Sequence, residues 1–276
     1  MSGFPQPEPR DEHPLALSDG AQTTVQQWGT HGPIAVAVHG LSSSRRGWAR
    51  IGEHLGDRYR LVAYDQRGHG DSSVKGPMTL ERSVADLAEV VASLGEPVHA
   101  VIGHSWGGGV AVVGGRALDV SRVVAIDPML HVERGVWSAQ TLPEYRRMLA
   151  QPLDEREALI RVSHGALPEI EIASKLHSAQ RITIEPIVAL GEENAIDEGR
   201  WDVRELVAEY PKPLLFALAD PRRSVVVPAE RPELRERGGA NVQVEVFEGA
   251  SHSLQRDAFD RFMPVLARFL GTSLSP

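Results

Sequence analysis

Ser105 stands at the centre of the pentapeptide Gly103-His104-Ser105-Trp106-Gly107. An apolar run from Val98 ends abruptly at Gly103, and a glycine-rich apolar pattern of helical type follows from Gly107 to Ala117. A serine between a buried strand and a helix occupies a sharp turn that holds its hydroxyl outward, the geometry of a nucleophile elbow. Gly103 and Gly107 lack a Cβ, so the turn can be strained and the outgoing helix can pack close to the incoming strand. The chemistry such a serine performs is attack on a carbonyl, provided that a base takes its proton and amide groups receive the developing oxyanion.

The elements before the serine supply part of that setting. Ile34 to Val38 (IAVAV) is a continuous apolar run of the kind found in a buried parallel strand, and it leads directly into His39, Gly40 and Leu41. Ligands gather outside the carboxyl ends of parallel strands, so this turn should lie beside the elbow. The N–H groups of Leu41 and Trp106 are the expected oxyanion donors, whereas the His39 ring is read as a structural turn histidine. Thr23 to Trp28 reads as an edge strand. Trp48, Ile51 and Leu55 recur at helical spacing, strand Arg60 to Tyr64 follows, and it ends in the turn Asp65 to Ser72 (DQRGHGDS). That turn lacks the spacing of a phosphate loop. Asp65, Arg67, His69 and Asp71 are read instead as a hydrogen-bonded brace for the site. Leu80, Val84, Leu87, Val91 and Leu94 mark the core face of a helix closed by Gly95.

Composition narrows the partners. A chain of 276 residues, 42% hydrophobic, can bury a full core as one α/β domain with an insertion. The net charge of −8 leaves no basic surface for nucleic acid, and a neutral or apolar small molecule fits better. Cysteine is absent, which removes disulfides, thiolate nucleophiles and cysteine metal sites together. The proline-rich start, residues 1–18, reads as a mobile tail without leader character. No apolar run approaches membrane-spanning length, so a cytoplasmic protein with no membrane partner is the expectation. Neither a metal nor an organic cofactor is expected, since no ligand cluster or dinucleotide fingerprint occurs. A homo-oligomer is compatible with all of this.

The order of three segments, HGL at 39–41, DQRGHGDS at 65–72 and GHSWGG at 103–108, resembles the α/β-hydrolase family, and the resemblance runs over roughly residues 20 to 270. It implies a mostly parallel eight-stranded sheet with flanking helices, and a nucleophile, an acid and a histidine in that chain order. His252 lies in the segment Gly249 to Asp257 (GASHSLQRD), after the last expected strand, Val242 to Phe247, and before the final helix pattern, which Pro264 interrupts. It is the implied general base. The acid is open between two strand ends. Where relatives carry an aspartate past Leu214 to Leu218, this chain reads ADPRRSVV, with Asp220 early; the other position is Asp127, which closes Val123 to Asp127. Asp127 is favoured and Asp220 is the alternative.

The resemblance also divides the chain into a core of residues 19–128 and 211–276 and a helical lid of residues 129–210. Met129, Trp137, Met148 and Trp201 are the candidates for lining the pocket, each of which could equally be lid core. The implied activity is a serine hydrolase that cleaves a carboxylic ester or lactone of a small to medium, mostly apolar substrate through an acyl-enzyme. Carbon–carbon bond hydrolysis, peracid formation and a receptor that binds without turnover are the alternatives on the same residues. Epoxide hydrolase and dehalogenase relatives use a carboxylate nucleophile, and Ser105 argues against both.

Overall fold

The computed structural model describes residues 12–195 and 202–271. In chain order they form β1 (Glu12–Ala16), β2 (Gln22–Trp28), β3 (Ile34–Val38), α1 (Ala49–Leu55), β4 (Arg60–Tyr64), α2 (Leu80–Ser93), β5 (Val98–His104), α3 (Trp106–Ala117) and β6 (Val120–Ile126). A helical segment follows, with α4 (Arg134–Val136), α5 (Leu142–Leu149), α6 (Leu153–His164), α7 (Glu169–Arg181) and α8 (Glu185–Glu193). The chain then returns through α9 (Val203–Val207) to β7 (Leu214–Ala219), α10 (Arg231–Gly238), β8 (Val242–Phe247), α11 (Leu254–Asp257) and α12 (Phe259–Leu270).

The eight strands make one sheet in the order β1-β2-β4-β3-β5-β6-β7-β8. β1 pairs antiparallel with β2 and β2 with β4, and every pairing from β4 to β8 is parallel. Two readings of the N-terminal region change here. Residues 12–16, assigned to the tail, are a strand in register with β2, and β2 is therefore covered rather than at the edge. Residues 1–11 lie outside the described part. The tail reading overlooked a short strand because His13 to Ala16 carries too few apolar side chains to announce one; its main-chain ladder is what holds it.

The IAVAV run is buried throughout because both sheet faces are covered. Val36 and Val38 face a core shared with α2, α3, α8 and α10, while Ala35 and Ala37 face a second core formed with α1, α11 and α12. Pro264 sits inside α12, which begins at Phe259 and packs Phe262, Met263 and Leu266 on the sheet. The pattern break at this proline neither delays nor ends the helix. No helix of the described residues is long and apolar enough to cross a membrane.

The chain packs closely at the turn between β5 and α3. A Cβ on Gly103 would lie 1.9 Å from the Gly107 carbonyl oxygen, and one on Gly107 would lie 2.3 Å from that of Val38. Only hydrogen fits at either position, and α3 therefore starts directly against β3 and β5.

Candidate active site

Ser105 adopts φ 56° and ψ −121°, a left-handed conformation that an L-residue holds only when its surroundings impose it. Four main-chain hydrogen bonds do so. Its N–H donates to Ile126 O at 3.0 Å, and its carbonyl accepts from Gly108 at 2.9 Å, Gly109 at 3.3 Å and Met129 at 2.9 Å. The turn at residues 39–41 lies against it as expected. A Cβ on Gly40 would be 2.8 Å from Ser105 Cβ and 3.0 Å from His104 Nδ1.

His252 follows β8 in the loop before α11. Its ring lies over that of His104, with centroids 4.7 Å apart, and its carbonyl accepts from His104 Nε2 at 2.9 Å. The neighbour of the serine thus holds the histidine loop in place. Burial above all, with His252 and Arg256 nearby, drives the His104 pKa well below the usual histidine range, so its ring stays neutral. His252 Nδ1 donates to Asp127 Oδ2 at 2.7 Å. Asp127 is fully buried at the end of β6, with φ 38°. Its carboxylate also accepts from Ala219 N at 3.0 Å, Ser224 Oγ at 2.5 Å and Val225 N at 3.1 Å.

Asp220 points elsewhere. It accepts from Arg222 N at 3.0 Å and Arg222 Nε at 3.2 Å, and from Gly249 N at 2.8 Å. The bonds from Arg222, then that from Gly249, hold its carboxyl well below the usual carboxylate range. Its place is a turn-bracing one, fastening the β7 end to the loop that carries His252.

A serine elbow at one strand end, a buried aspartate at the next and a histidine joined to it from the loop after β8 coincide with a family-wide match: the profile of the Alpha/beta hydrolase family matches residues 35–265. The chain belongs to this family. Among curated relatives, lipase LipV of Mycobacterium tuberculosis is 32% identical over 152 residues, covering 53% of this chain and 56% of the lipase. The 30 kDa magnesium-chelatase subunit of Rhodobacter capsulatus is 28% identical over 209 residues, 70% of this chain and 72% of that protein. This chain spans little more than half the length of the lipase in the match. Among solved structures, E-2-(acetamidomethylene)succinate hydrolase superposes with a TM-score of 0.79 at 19% identity, covering 95% of this chain and 99% of the other. The enol-lactonase of Burkholderia xenovorans superposes with a TM-score of 0.68 at 18% identity, covering 94% and 100%. The fold is that of the α/β hydrolases.

In this α/β hydrolase the loops around the elbow are fixed by buried polar groups. His39 Nδ1 donates to Gly40 O at 2.8 Å and its Nε2 accepts from Gln66 N at 2.9 Å, which is the structural role read for this ring. Burial above all, and next the neighbouring His69, lower its pKa to about 3. Asp65 accepts from Arg45 N at 2.7 Å and Asp71 N at 2.8 Å, and it pairs with the Arg45 guanidinium. Arg67 grips Asp86 with two bonds of 2.8 Å. The glycine-rich turn is therefore a brace, as its sequence suggests.

The segment between β6 and β7 is tied over these loops. Ser42 Oγ meets Tyr145 OH at 3.2 Å, and Ser44 Oγ meets Ser178 Oγ at 2.9 Å and His177 Nδ1 at 3.2 Å. Of the candidate lining residues, Met129 joins the site through its bond to Ser105, and Trp137 is 6% exposed and packs against Gly191 within the segment. Met148 is 36% exposed at the surface, and Trp201 lies outside the described residues. Leu41 is half-buried and Trp106 is buried at the start of α3. Two contributors had no signal in the sequence pattern, Ser224 and Val225. They come from the ADPRRSVV stretch that lacks the acid of other relatives, and they bond to Asp127 instead.

Proposed function

We propose that the protein is a serine hydrolase that cleaves a carboxylic ester or lactone with a largely apolar skeleton through an acyl-enzyme. The observation that carries this reading is the 2.7 Å bond between His252 Nδ1 and Asp127, in a loop held against the residue preceding a strained Ser105. Asp127 fixes the His252 tautomer with the proton on Nδ1, which leaves Nε2 to take the proton of Ser105 as Oγ attacks the carbonyl carbon. The oxyanion of the tetrahedral intermediate is received by the N–H groups of Leu41 and Trp106. Collapse expels the alcohol, which leaves with the proton held by His252. Water then repeats the sequence on the acyl-enzyme and releases the acid and Ser105. The helical segment of residues 129–210 acts as a lid whose inner side shapes the acyl pocket. The test is steady-state hydrolysis of chromogenic esters graded by acyl length. Wild type should turn over repeatedly, and Ser105→Ala should lose about a thousandfold or more in kcat. Equal rates in the two proteins would remove the nucleophile assignment.

A further inference from the structure

The peptide between Gly40 and Leu41 carries one of the two N–H groups that the hydrolase reading assigns to the oxyanion. It is trans, so its C=O and N–H point in opposite directions, and whatever aims the carbonyl also aims the N–H. Two bonds hold that carbonyl. His39 Nδ1 donates to Gly40 O at 2.8 Å, and Ser43 N–H donates to it at 3.2 Å. The second bond closes a four-residue turn, Gly40 to Ser43, whose third residue, Ser42, has φ 56°. A positive φ at that place in a turn is ordinarily taken by glycine or asparagine. A serine there is strained, and it keeps the conformation only where its surroundings hold it.

What holds Ser42 comes from outside the turn. Its Oγ and the Tyr145 hydroxyl share a hydrogen bond of 3.2 Å, and among the described residues Ser42 Oγ has no other. Tyr145 stands in α5, and its ring packs against the core shared with α2, α3 and α8. Two features fix where that helix lies. Trp137 fills the face of Gly191 in α8, leaving no room there for a Cβ. Trp137–Thr141 is then wound as a turn of π-helix that runs directly into α5. The residue that such a turn adds rotates everything beyond it by about 100°, which sets the face of α5 that meets Ser42. Burial above all raises the Tyr145 pKa, against the opposing effect of the Ser42 bond, so the hydroxyl stays protonated at neutral pH.

We propose that Tyr145 is a positioning residue for the oxyanion: through Ser42 it keeps the Gly40–Leu41 peptide aimed, so the helical segment completes the site only when α5 is seated. This role rests on the serine hydrolase reading. His39 braces the peptide from the core side, and Tyr145 braces it from the helical segment. Negative charge builds on the substrate oxygen as Ser105 attacks, and a donor already held in place costs no reorganisation at that moment. Loss of the Tyr145 hydroxyl therefore acts on the transition state more than on substrate binding, and it is read in kcat rather than KM.

The test compares wild type, Tyr145→Phe, Ser42→Ala and the double variant on para-nitrophenyl butyrate, with thermal melts to check folding. Each single variant should lose about tenfold in kcat with KM changed by less than about twofold, and the double variant should lose no more than about twofold beyond either. A second measurement reads the oxyanion alone. In 1,1,1-trifluoro-2-octanone, Ser105 Oγ adds to the ketone carbon, His252 takes the serine proton, and the ketone oxygen becomes an anion. Its Ki should rise about tenfold in Tyr145→Phe, while that of 2-octanone, which stays a ketone, should not change. Turnover that depends on Ser105 but is unaltered in Tyr145→Phe would overturn the role and leave the hydrolase reading intact. So would a loss confined to KM, which marks a pocket wall, or losses that multiply in the double variant, which mark an action not routed through Ser42. Wild type as inactive as Ser105→Ala toward both ester and trifluoroketone would remove the hydrolase reading and this role with it.

Discussion

Asp127→Asn separates the two aspartates most sharply. The Asp127 carboxylate accepts four bonds, at Oδ1 from Ala219 N–H and Ser224 O–H, and at Oδ2 from Val225 N–H and His252 Nδ1–H. Asparagine has one acceptor oxygen, so in either orientation its NH2 faces two former donors. With the NH2 on the Oδ2 side it opposes Val225 N–H and turns His252 to the tautomer whose Nε2 carries the proton. That ring cannot deprotonate Ser105. With the NH2 on the Oδ1 side, Ser224 can rotate to accept while Ala219 N–H is opposed; the tautomer survives, but the charge that steadies the imidazolium is gone. Both outcomes remove transition-state stabilisation, and a fall of about 10³ to 10⁴ in kcat is expected, or about 4 to 5.5 kcal/mol. Asp220→Asn retains an oxygen for Arg222 or Gly249 and touches neither His252 nor Ser105, so its loss should stay below about tenfold. The assay is steady-state kinetics of both variants on a neutral ester, with thermal melts as the check of folding. A loss in Asp220→Asn as large as that in Asp127→Asn would refute the reasoning.

Two further expectations concern the frame around Ser105 and the buried histidines. Gly40→Ala places a methyl group 2.8 Å from Ser105 Cβ and 3.1 Å from His104 O, so the elbow must shift and kcat should fall about a hundredfold in a folded protein; wild-type kinetics would show the contact to be soft. Acid should also unfold the protein through its neutral histidines. His39 and His177 have folded pKa values lowered to about 3 and His69 to about 4, in each case mainly by burial, against 6.5 for the unfolded ring. Below about pH 6.5 the unfolded chain binds protons that the folded one does not, so stability is lost as pH falls toward 4, by up to about 1.4 kcal/mol per unit for each ring. Thermal melts between neutrality and pH 5 should show a steep decline, and a flat Tm would mean that these rings charge without cost.

The α/β architecture was legible because its determinants are local. Continuous apolar runs such as Ile34–Val38 and Leu214–Ala219 occur where both sheet faces are covered, and helix stripes such as that of Leu80, Val84, Leu87 and Val91 announce the layers above and below. The elbow was legible for a similar reason. A strand, a glycine, a serine and a helix follow one another in the chain, and the close approach that requires Gly103 is to the Gly107 carbonyl, four residues on, although Gly107 itself is required by its approach to Val38 in β3.

What the sequence by itself determined is therefore the sheet-and-helix framework from β2 onward and the position of Ser105 at the tip of a strand. Tertiary structure alone decided which aspartate meets His252, because the choice depends on the ends of two neighbouring strands and on Ser224 and Val225 turning back toward β6. Local order is written in periodicity and turn chemistry, whereas charges and hydrogen bonds act across space and find their partners only once the chain has closed.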